Sequence, residues 1–203
     1  MVRSKEMVTG KSSGMEEGSL EPVLERARAG DAEVVAELYR QFSRRVFVLC
    51  RYLLGSREAA EDATNEVFLR VQRAMRGYDS ALPFPRWLLS IASHYCVDQW
   101  RRGRLEARVF EPESSPGYES AAVSASPLGE LLAREERAAV RGAVAGLPDR
   151  YRLPLVLRYY SELSYDQIAA ALGLTRNHVA TLIFRAKKEL RRALRPARKE
   201  RVQ

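Results

Sequence analysis

The sequence predicts an all-α protein in which two small helical domains are joined by a flexible acidic linker. Apolar residues recur every three or four positions along most of the 203 residues, which is the period of amphipathic helices. This period is lost over residues 106–126, a stretch rich in Ser, Pro, Glu and small residues. We therefore expect a disordered N-terminal extension over 1–20, a first domain over 21–105 and, after the linker, a second domain over 127–203.

The first domain begins with a long helix, for which Asp31 is the expected N-cap. Gly55 ends this helix and Ser56 caps the next one. The apolar positions that follow Asp31 define the face expected to be buried: Val35, Leu38, Phe42, Val46, Leu49 and Leu53.

Two more helices complete the expected bundle. The second helix stops at Gly77, and a loop over 77–85 leads to a third helix opened by Pro85. The residues expected to face inward are Ala60, Ala63, Val67, Val71 and Met75 on the second helix, and Leu88, Ile91 and Tyr95 on the third.

The second domain ends in two short amphipathic segments separated by a tight turn. Ser164 and Gln167 form a predicted capping box, Gly173 ends the first segment, and Thr175 caps the second. Two helices around a glycine-containing turn, the second of them basic, are typical of a helix-turn-helix, although an ordinary helical hairpin has the same pattern. The inward residues are Ile168, Ala169 and Leu172, then Val179, Leu182, Ile183, Ala186 and Leu190.

The charge is distributed unevenly. Residues 147–203 hold 13 Lys/Arg against 5 Asp/Glu, a net charge of +8, whereas residues 106–146 hold 4 against 7, a net charge of −3. This asymmetry suggests that the C-terminal part faces a polyanion and that an acidic connector joins two bodies.

Several classes of protein are not expected from this sequence. No apolar run approaches the roughly 20 residues of a membrane span, and the N-terminus lacks the apolar core of a secretory signal, which favours the cytoplasm and no membrane insertion. Cys50 and Cys96, with His94 and His178, lack zinc-ligand spacing, so we expect two reduced, buried thiols and no metal or cofactor. No nucleophile–base pair or glycine-rich phosphate loop is visible, so we do not expect an enzyme.

Two blocks of sequence resemble a known family. "LPDRYRLPLVLRYYSELSYDQIAAALGLTRNHVATLIFRAKKELRR" is similar to region 4 of bacterial RNA polymerase sigma factors of the extracytoplasmic-function type, within the sigma-70 family. "REAAEDATNEVFLRVQRAMRGYD", followed by "FPRWLLSIASHYCVDQWRR", is similar to region 2 of the same family. The resemblance implies a subunit that binds the polymerase core, directs it to promoters and helps to melt the minus-ten element, with region 4 reading the minus-thirty-five element.

The resemblance implies a polymerase-binding surface on the second helix. The segment "EDATNEVF" is similar to the motif that docks on the clamp of the largest subunit, and spacings of three and four align its residues on one face. A solvated charged helix face is the alternative. The expected contact residues are Asp62, Asn65, Glu66, Leu69 and Arg73.

A second implied site would hold an unpaired minus-ten strand, because cations and stacking aromatic rings suit single-stranded DNA. The loop over 77–85 would hold a flipped base. His94 stands where the family commonly has Asn, and a structural role for this histidine is the alternative. The candidates are Tyr78, Phe84, Arg86, Trp87, His94, Trp100, Arg101 and Arg102.

A third implied site would read the minus-thirty-five duplex from the last helix. The family commonly has Arg or Lys where this chain has Ala180, and often where it has Leu182, so base readout is expected to be weakened, altered or replaced by protein contact. The candidates are Arg176, Asn177, Thr181, Phe184, Arg185 and Lys188.

The implied partners are the core polymerase, through its clamp and flap, and promoter DNA, with an anti-sigma factor as a further candidate. The main rival is an autonomous regulator with a helix-turn-helix, which would bind its operator without polymerase.

Overall fold

The computed structural model describes residues 17–107 and 128–199, and the regular structure within these ranges is helical. Together these ranges hold eight α-helices and one 3₁₀ turn over Met75–Gly77. The first domain comprises α1 (Glu17–Arg28), α2 (Ala32–Leu54), α3 (Arg57–Ala74) and α4 (Phe84–Ala107). The second domain comprises α5 (Leu128–Ala145), α6 (Asp149–Tyr159), α7 (Tyr165–Leu172) and α8 (Arg176–Lys199).

The first domain is a bundle in which α2 packs against both α3 and α4, while α1 lies on α2 and the 3₁₀ turn. Its helix ends follow the expected caps. The Asp31 carboxylate accepts the Glu33 backbone N–H at 3.0 Å, and a hydrogen bond from Arg26 lowers the pKa of Asp31. Gly55 adopts φ 77°, and Ser56 caps α3. The left-handed conformation explains why a glycine stands at the end of α2.

Three details of the first domain differ from the expectation. Residues from Glu17 onward form a helix, so the N-terminal extension is not disordered throughout. On α2, Val34 and not Val35 faces the core of the bundle. Helix α4 begins at Phe84 and extends to Ala107, slightly into the segment assigned to the linker. The rest of that segment and residues 1–16 lie outside the described residues.

The second domain has the expected helix-turn-helix. The Ser164 hydroxyl accepts the Gln167 backbone N–H, and the Gln167 side chain accepts the Ser164 N–H at 2.8 Å, which completes the capping box. Gly173 ends α7 with φ 66°, and the Thr175 hydroxyl accepts the His178 N–H. Helix α8 packs on α5, α6 and α7, with Val179, Ile183 and other expected residues turned inward.

The two domains are in direct contact. Helix α6 packs on α2, and α7 approaches α4, so that one apolar core continues from Leu20 in α1 to Ala186 in α8. Along the described residues, no helix has the length and hydropathy to cross a membrane.

Candidate functional site

The first candidate surface is a stripe along the outer side of α3. Asp62, Asn65, Leu69 and Arg73 are exposed on it, and Glu66 is half-buried and paired with Arg70 at 2.9 Å. Leu69 is 48% exposed although it is a large apolar residue. We call these five predicted residues (Asp62, Asn65, Glu66, Leu69 and Arg73) the α3 stripe. The structure brings them together as one apolar side chain among two acids, one amide and one cation.

The structure adds Tyr39 of α2 to the α3 stripe. Its hydroxyl donates to the Asn65 carbonyl oxygen at 3.1 Å, and its ring packs on Phe68 at 4.8 Å between centroids. The ring remains 38% exposed. Sequence reasoning missed this residue because it belongs to another helix. Its position one residue after the buried Leu38 was the only signal that it could face outward.

Two aromatic residues of the minus-ten candidate set lie in the core. Tyr78 is 6% exposed and Phe84 is 2% exposed, and the Tyr78 hydroxyl donates to the Leu82 carbonyl at 2.6 Å. Burial raises the pKa of Tyr78, while the Arg28 guanidinium lies 5.1 Å from its ring centroid. Neither ring has an open face in this arrangement, and stacking of the two rings on a base stays a prediction.

Trp87 is the ring of this cluster that faces outward. It is half-buried, and its centroid lies 4.8 Å from that of Tyr78 and 5.8 Å from that of Phe84. The two buried rings thus fix the orientation of Trp87 at the start of α4. A rigid, partly exposed indole is suited to stack on an unpaired base.

The other minus-ten candidates lie along α4. Arg86, His94 and Arg102 are exposed, and His94 Nδ1 donates to the Ser90 carbonyl at 2.7 Å, which fixes its ring. Trp100 and Arg101 instead face the second domain. The Trp100 indole N–H donates to the Asp149 carboxylate at 3.1 Å. The Arg101 guanidinium lies 3.4 Å from the point where a Cβ on Gly173 would stand.

The third candidate surface runs along the outer side of α8. All six predicted residues are exposed there, and we call them the recognition face: Arg176, Asn177, Thr181, Phe184, Arg185 and Lys188. Phe184 is 67% exposed. The Thr181 hydroxyl donates to the Asn177 carbonyl at 3.0 Å, and Arg176 lies 3.9 Å from Asp166. Cations, one aromatic ring and short polar side chains therefore share one surface.

The two positions that depart from the family pattern differ from each other in exposure. Leu182 is buried, whereas Ala180 is half-buried. A side chain at position 182 thus belongs to the packed side of α8, while one at position 180 borders the recognition face. Lys187 also turns away from that face, since its ammonium lies 4.8 Å from the ring centroid of Tyr159.

Cys50 and Cys96 are free and buried, as expected. The Cys96 thiol donates to the Cys50 sulfur at 3.4 Å. This hydrogen bond lowers the pKa of Cys50 and raises that of Cys96, whose burial adds to the effect. The described residues hold no group of three or more His, Cys, Asp or Glu side chains that could bind a metal ion.

Comparison with known proteins identifies the family. Residues 38–106 match the model of sigma-70 region 2, and residues 137–190 match that of sigma-70 region 4. The ECF RNA polymerase sigma factor SigK of Mycolicibacterium vanbaalenii is 32% identical over 89% of this chain and 88% of its own length. The chain belongs to the ECF sigma factors of the sigma-70 family. It therefore directs RNA polymerase to promoters and is not an enzyme.

Two further similarities agree with this family. The ECF sigma factor SigW of Bacillus subtilis is 28% identical over 85% of this chain and 95% of its own. A solved structure of CnrH in complex with the cytosolic domain of CnrY covers 86% of this chain and 96% of its own, with a TM-score of 0.50 and 21% identity. The latter is evidence of the fold alone. Because sigma factors act together with RNA polymerase, the rival interpretation of an autonomous regulator is set aside.

Proposed function

We propose that this sigma factor holds core polymerase with the α3 stripe, captures the unpaired minus-ten strand with α4 and binds the minus-thirty-five duplex with the recognition face. The observation that carries this proposal is the position of two chemically opposite surfaces on separate domains of one chain. The α3 stripe carries two acids and one cation around an exposed leucine, whereas the recognition face carries three cations and no acid. A protein that joins a polymerase to DNA needs both.

The α3 stripe has the chemistry of a protein-binding surface. Leu69 supplies apolar area, and Asp62 and Glu66 supply charge within one or two turns of it. Protein interfaces combine an apolar centre with a polar rim, and these residues supply both kinds of group. We assign the partner as the clamp of the largest polymerase subunit, with the flap as the contact of the second domain.

Strand capture is assigned to Trp87, Arg86, His94, Trp100, Arg101 and Arg102 on α4. Melting requires no covalent chemistry, because an unpaired base is stabilised when it stacks on an aromatic ring and its phosphates meet cations. Tyr78 and Phe84 act indirectly here, as the buried support of Trp87.

Duplex binding is assigned to the recognition face. Arg176, Arg185 and Lys188 neutralise phosphates, a contribution that weakens as salt rises. Asn177 and Thr181 lie near the start of α8, where helix-turn-helix proteins contact base edges. The protein works in the cytoplasm with the polymerase, and an anti-sigma factor is a further proposed partner.

Charge reversal on the α3 stripe tests the polymerase assignment. The double variant Asp62→Arg/Glu66→Arg should lose association with purified core polymerase, because it replaces two acids of the stripe with cations, while its helical circular dichroism stays unchanged. The readouts are co-elution with core and sequencing of RNA 5′ ends made in vitro from fragmented genomic DNA.

The matched control is Glu21→Arg/Glu25→Arg, which reverses two exposed acids at the same spacing on α1. The control should co-elute with core and initiate at the same promoters as the unaltered protein. Equal loss of binding in both double variants would show that net charge, and not the α3 stripe, determines the association.

A further inference from the structure

We propose that Cys50 and Cys96 form an oxidation site, at which a hydroperoxide converts the buried thiol pair into a disulfide that fastens α2 to α4. The two sulfur atoms lie 3.4 Å apart on neighbouring helices of the first domain. A disulfide bond is about 2.0 Å long, so the sulfurs need to approach each other by only about 1.4 Å. The thiol pair lies inside the helical bundle, whereas the α3 stripe and the recognition face are outer surfaces.

The hydrogen bond between the thiols makes the two sulfurs unequal. The Cys96 S–H donates to Cys50, which lowers the pKa of Cys50 even though burial opposes ionisation there. The same hydrogen bond raises the pKa of Cys96, and burial adds to the effect. The thiolate is the form of a cysteine that attacks a peroxide. Cys50 is therefore the attacking sulfur, and Cys96 is the sulfur that closes the disulfide.

Thr64 of α3 is the third side chain of the site. Its buried hydroxyl donates to the Ala60 carbonyl at 2.7 Å. After the larger effect of Cys96, a hydrogen bond from Thr64 also lowers the pKa of Cys50. One hydroxyl proton serves one acceptor at a time, so the hydroxyl turns from Ala60 to Cys50 when the sulfur loses its proton. Two donors on different helices can thus stabilise the same thiolate.

The proposed reaction consumes one hydrogen peroxide for each thiol pair. The Cys50 thiolate attacks one peroxide oxygen, the O–O bond breaks, and the released hydroxide takes up a proton to become water, which leaves a sulfenic acid on Cys50. The Cys96 sulfur then attacks the Cys50 sulfur and the S–O bond breaks. The hydroxide that leaves takes the Cys96 proton and becomes the second water. Two thiols are oxidised and one peroxide is reduced, so no other reactant is needed.

The end of α6 covers this side of α4. Ser93, one turn before Cys96, donates to the Ser161 hydroxyl at 2.8 Å. The Tyr160 hydroxyl donates to the Arg45 carbonyl at 3.0 Å. Both sulfurs are fully buried, so peroxide reaches them only during local opening of this packing. We expect slower oxidation than at an exposed thiol, and the same packing protects the disulfide from reductants once it has formed.

Treatment of the full-length protein with hydrogen peroxide tests the site. Tryptic mapping without reductant should find the disulfide between Cys50 and Cys96, and dithiothreitol should restore both thiols. The melting temperature of the oxidised protein should rise by about 5 °C or more, because the bond joins residues 46 positions apart. The Cys50→Ser/Cys96→Ser variant, treated in the same way, is the matched control for oxidation of methionines.

The single variants test the roles of the two sulfurs. In Cys96→Ser a hydroxyl can still donate to Cys50, so Cys50 should form a sulfenic acid that dimedone labels. In Cys50→Ser the remaining thiol should be labelled about tenfold more slowly, because it lacks a donor that favours its ionised form. Thr64→Val keeps the branched shape of the side chain without the hydroxyl, and it should slow disulfide formation. Circular dichroism checks the fold of each variant.

Two results would overturn the proposal. One is a folded protein that keeps both thiols reduced after peroxide treatment, or that forms the disulfide only in urea. The other is oxidation of either cysteine to a sulfinic acid without a disulfide, since the second sulfur would then be out of reach. Equal labelling of the two single variants would contradict the roles assigned to Cys50 and Cys96.

Discussion

Tyr160 contributes one hydroxyl group to the contact between the two domains. The residue is half-buried, and loss of surrounding water raises the pKa of its hydroxyl to about 12, from 10.0. The protonated form donates to the Arg45 carbonyl. Ionisation would remove this donor and place a charge beside the apolar core. The contact is therefore sensitive to alkaline pH.

We expect the free energy of unfolding to fall as pH rises from 10 to about 12. In this range the unfolded chain has released the Tyr160 proton while the folded chain keeps it, so the folded state loses relative stability with increasing pH. Tyr160→Phe should lower the free energy of unfolding by about 1 kcal/mol at pH 9, because the hydrogen bond is lost. Above pH 10, the free energy of unfolding of this variant should fall less steeply with pH than that of the unaltered protein. Urea denaturation at pH 9 and pH 11 measures both effects.

A suitable control is Tyr159→Phe, because Tyr159 is exposed and next to Tyr160. Its stability should follow that of the unaltered protein across the same range. Identical slopes for the Tyr160 and Tyr159 variants would contradict the assigned role of Tyr160.

Single residues also show where prediction from sequence reached its limit. The α3 stripe followed from helical spacing, because residues three and four apart share a face whatever the rest of the chain does. The burial of Tyr78 and Phe84 did not follow from the sequence, because an aromatic residue beside a loop can belong to a core as well as to a base-binding site. Only the packing of α1 and α4 around them decides between the two.

At the scale of elements, α8 combines a packed side with an exposed side for which we propose DNA binding. Val179, Leu182, Ile183 and Ala186 lie on the packed side, and the recognition face lies opposite. Leu182 therefore cannot be treated as a missing DNA contact. Restoring a cation has different consequences at position 180 and at position 182.

We expect Ala180→Lys to strengthen binding of holoenzyme to duplex promoter DNA, with little change in melting temperature, because position 180 borders the recognition face. Leu182→Lys should instead destabilise the protein by about 2–4 kcal/mol, since it buries a charge and removes apolar packing. Fluorescence anisotropy at two salt concentrations and thermal denaturation separate the two effects. A stable Leu182→Lys variant that binds DNA more tightly would show that position 182 faces the duplex.

The helices themselves were largely predictable, because their ends carry local signals. Asp31, Ser56 and the Ser164–Gln167 pair cap helices through contacts with their own neighbours in sequence. Helix α1, which has Pro22 within it, was not predicted. The spacing of the buried Leu20, Leu24 and Ala27 was the signal that could have found it.

At the scale of the whole molecule, the two domains share one apolar core, so they should unfold together. Calorimetry of the free protein should show one cooperative transition. In the Ser161→Asp variant this transition should split into two, because a buried carboxylate is unfavourable and separation of the domains would return it to water. Ser80→Asp, at an exposed loop position, should leave one transition. Two well-separated transitions in the unaltered protein would mean that the domains are not docked.

The contact between the domains was not predictable from the sequence. Ser93 and Ser161 are 68 positions apart, and Tyr160 and Arg45 are 115 apart. No local pattern records such pairs, and serine is common on exposed helix faces. The resemblance gave two domains in the right order, but their docking depends on side chains that only the folded chain brings together.

The separation of Ser93 and Ser161 along the chain also matters during synthesis. A ribosome adds about 5–20 residues per second, so about 3–14 s pass between the two residues. During this interval the first domain can fold, but the side of α2 and α4 that receives α6 has no partner. Nascent chains are thus most prone to aggregate, or to bind a chaperone, before residue 161 emerges. Slower translation between α4 and α6 should lengthen that interval and lower the yield of folded protein.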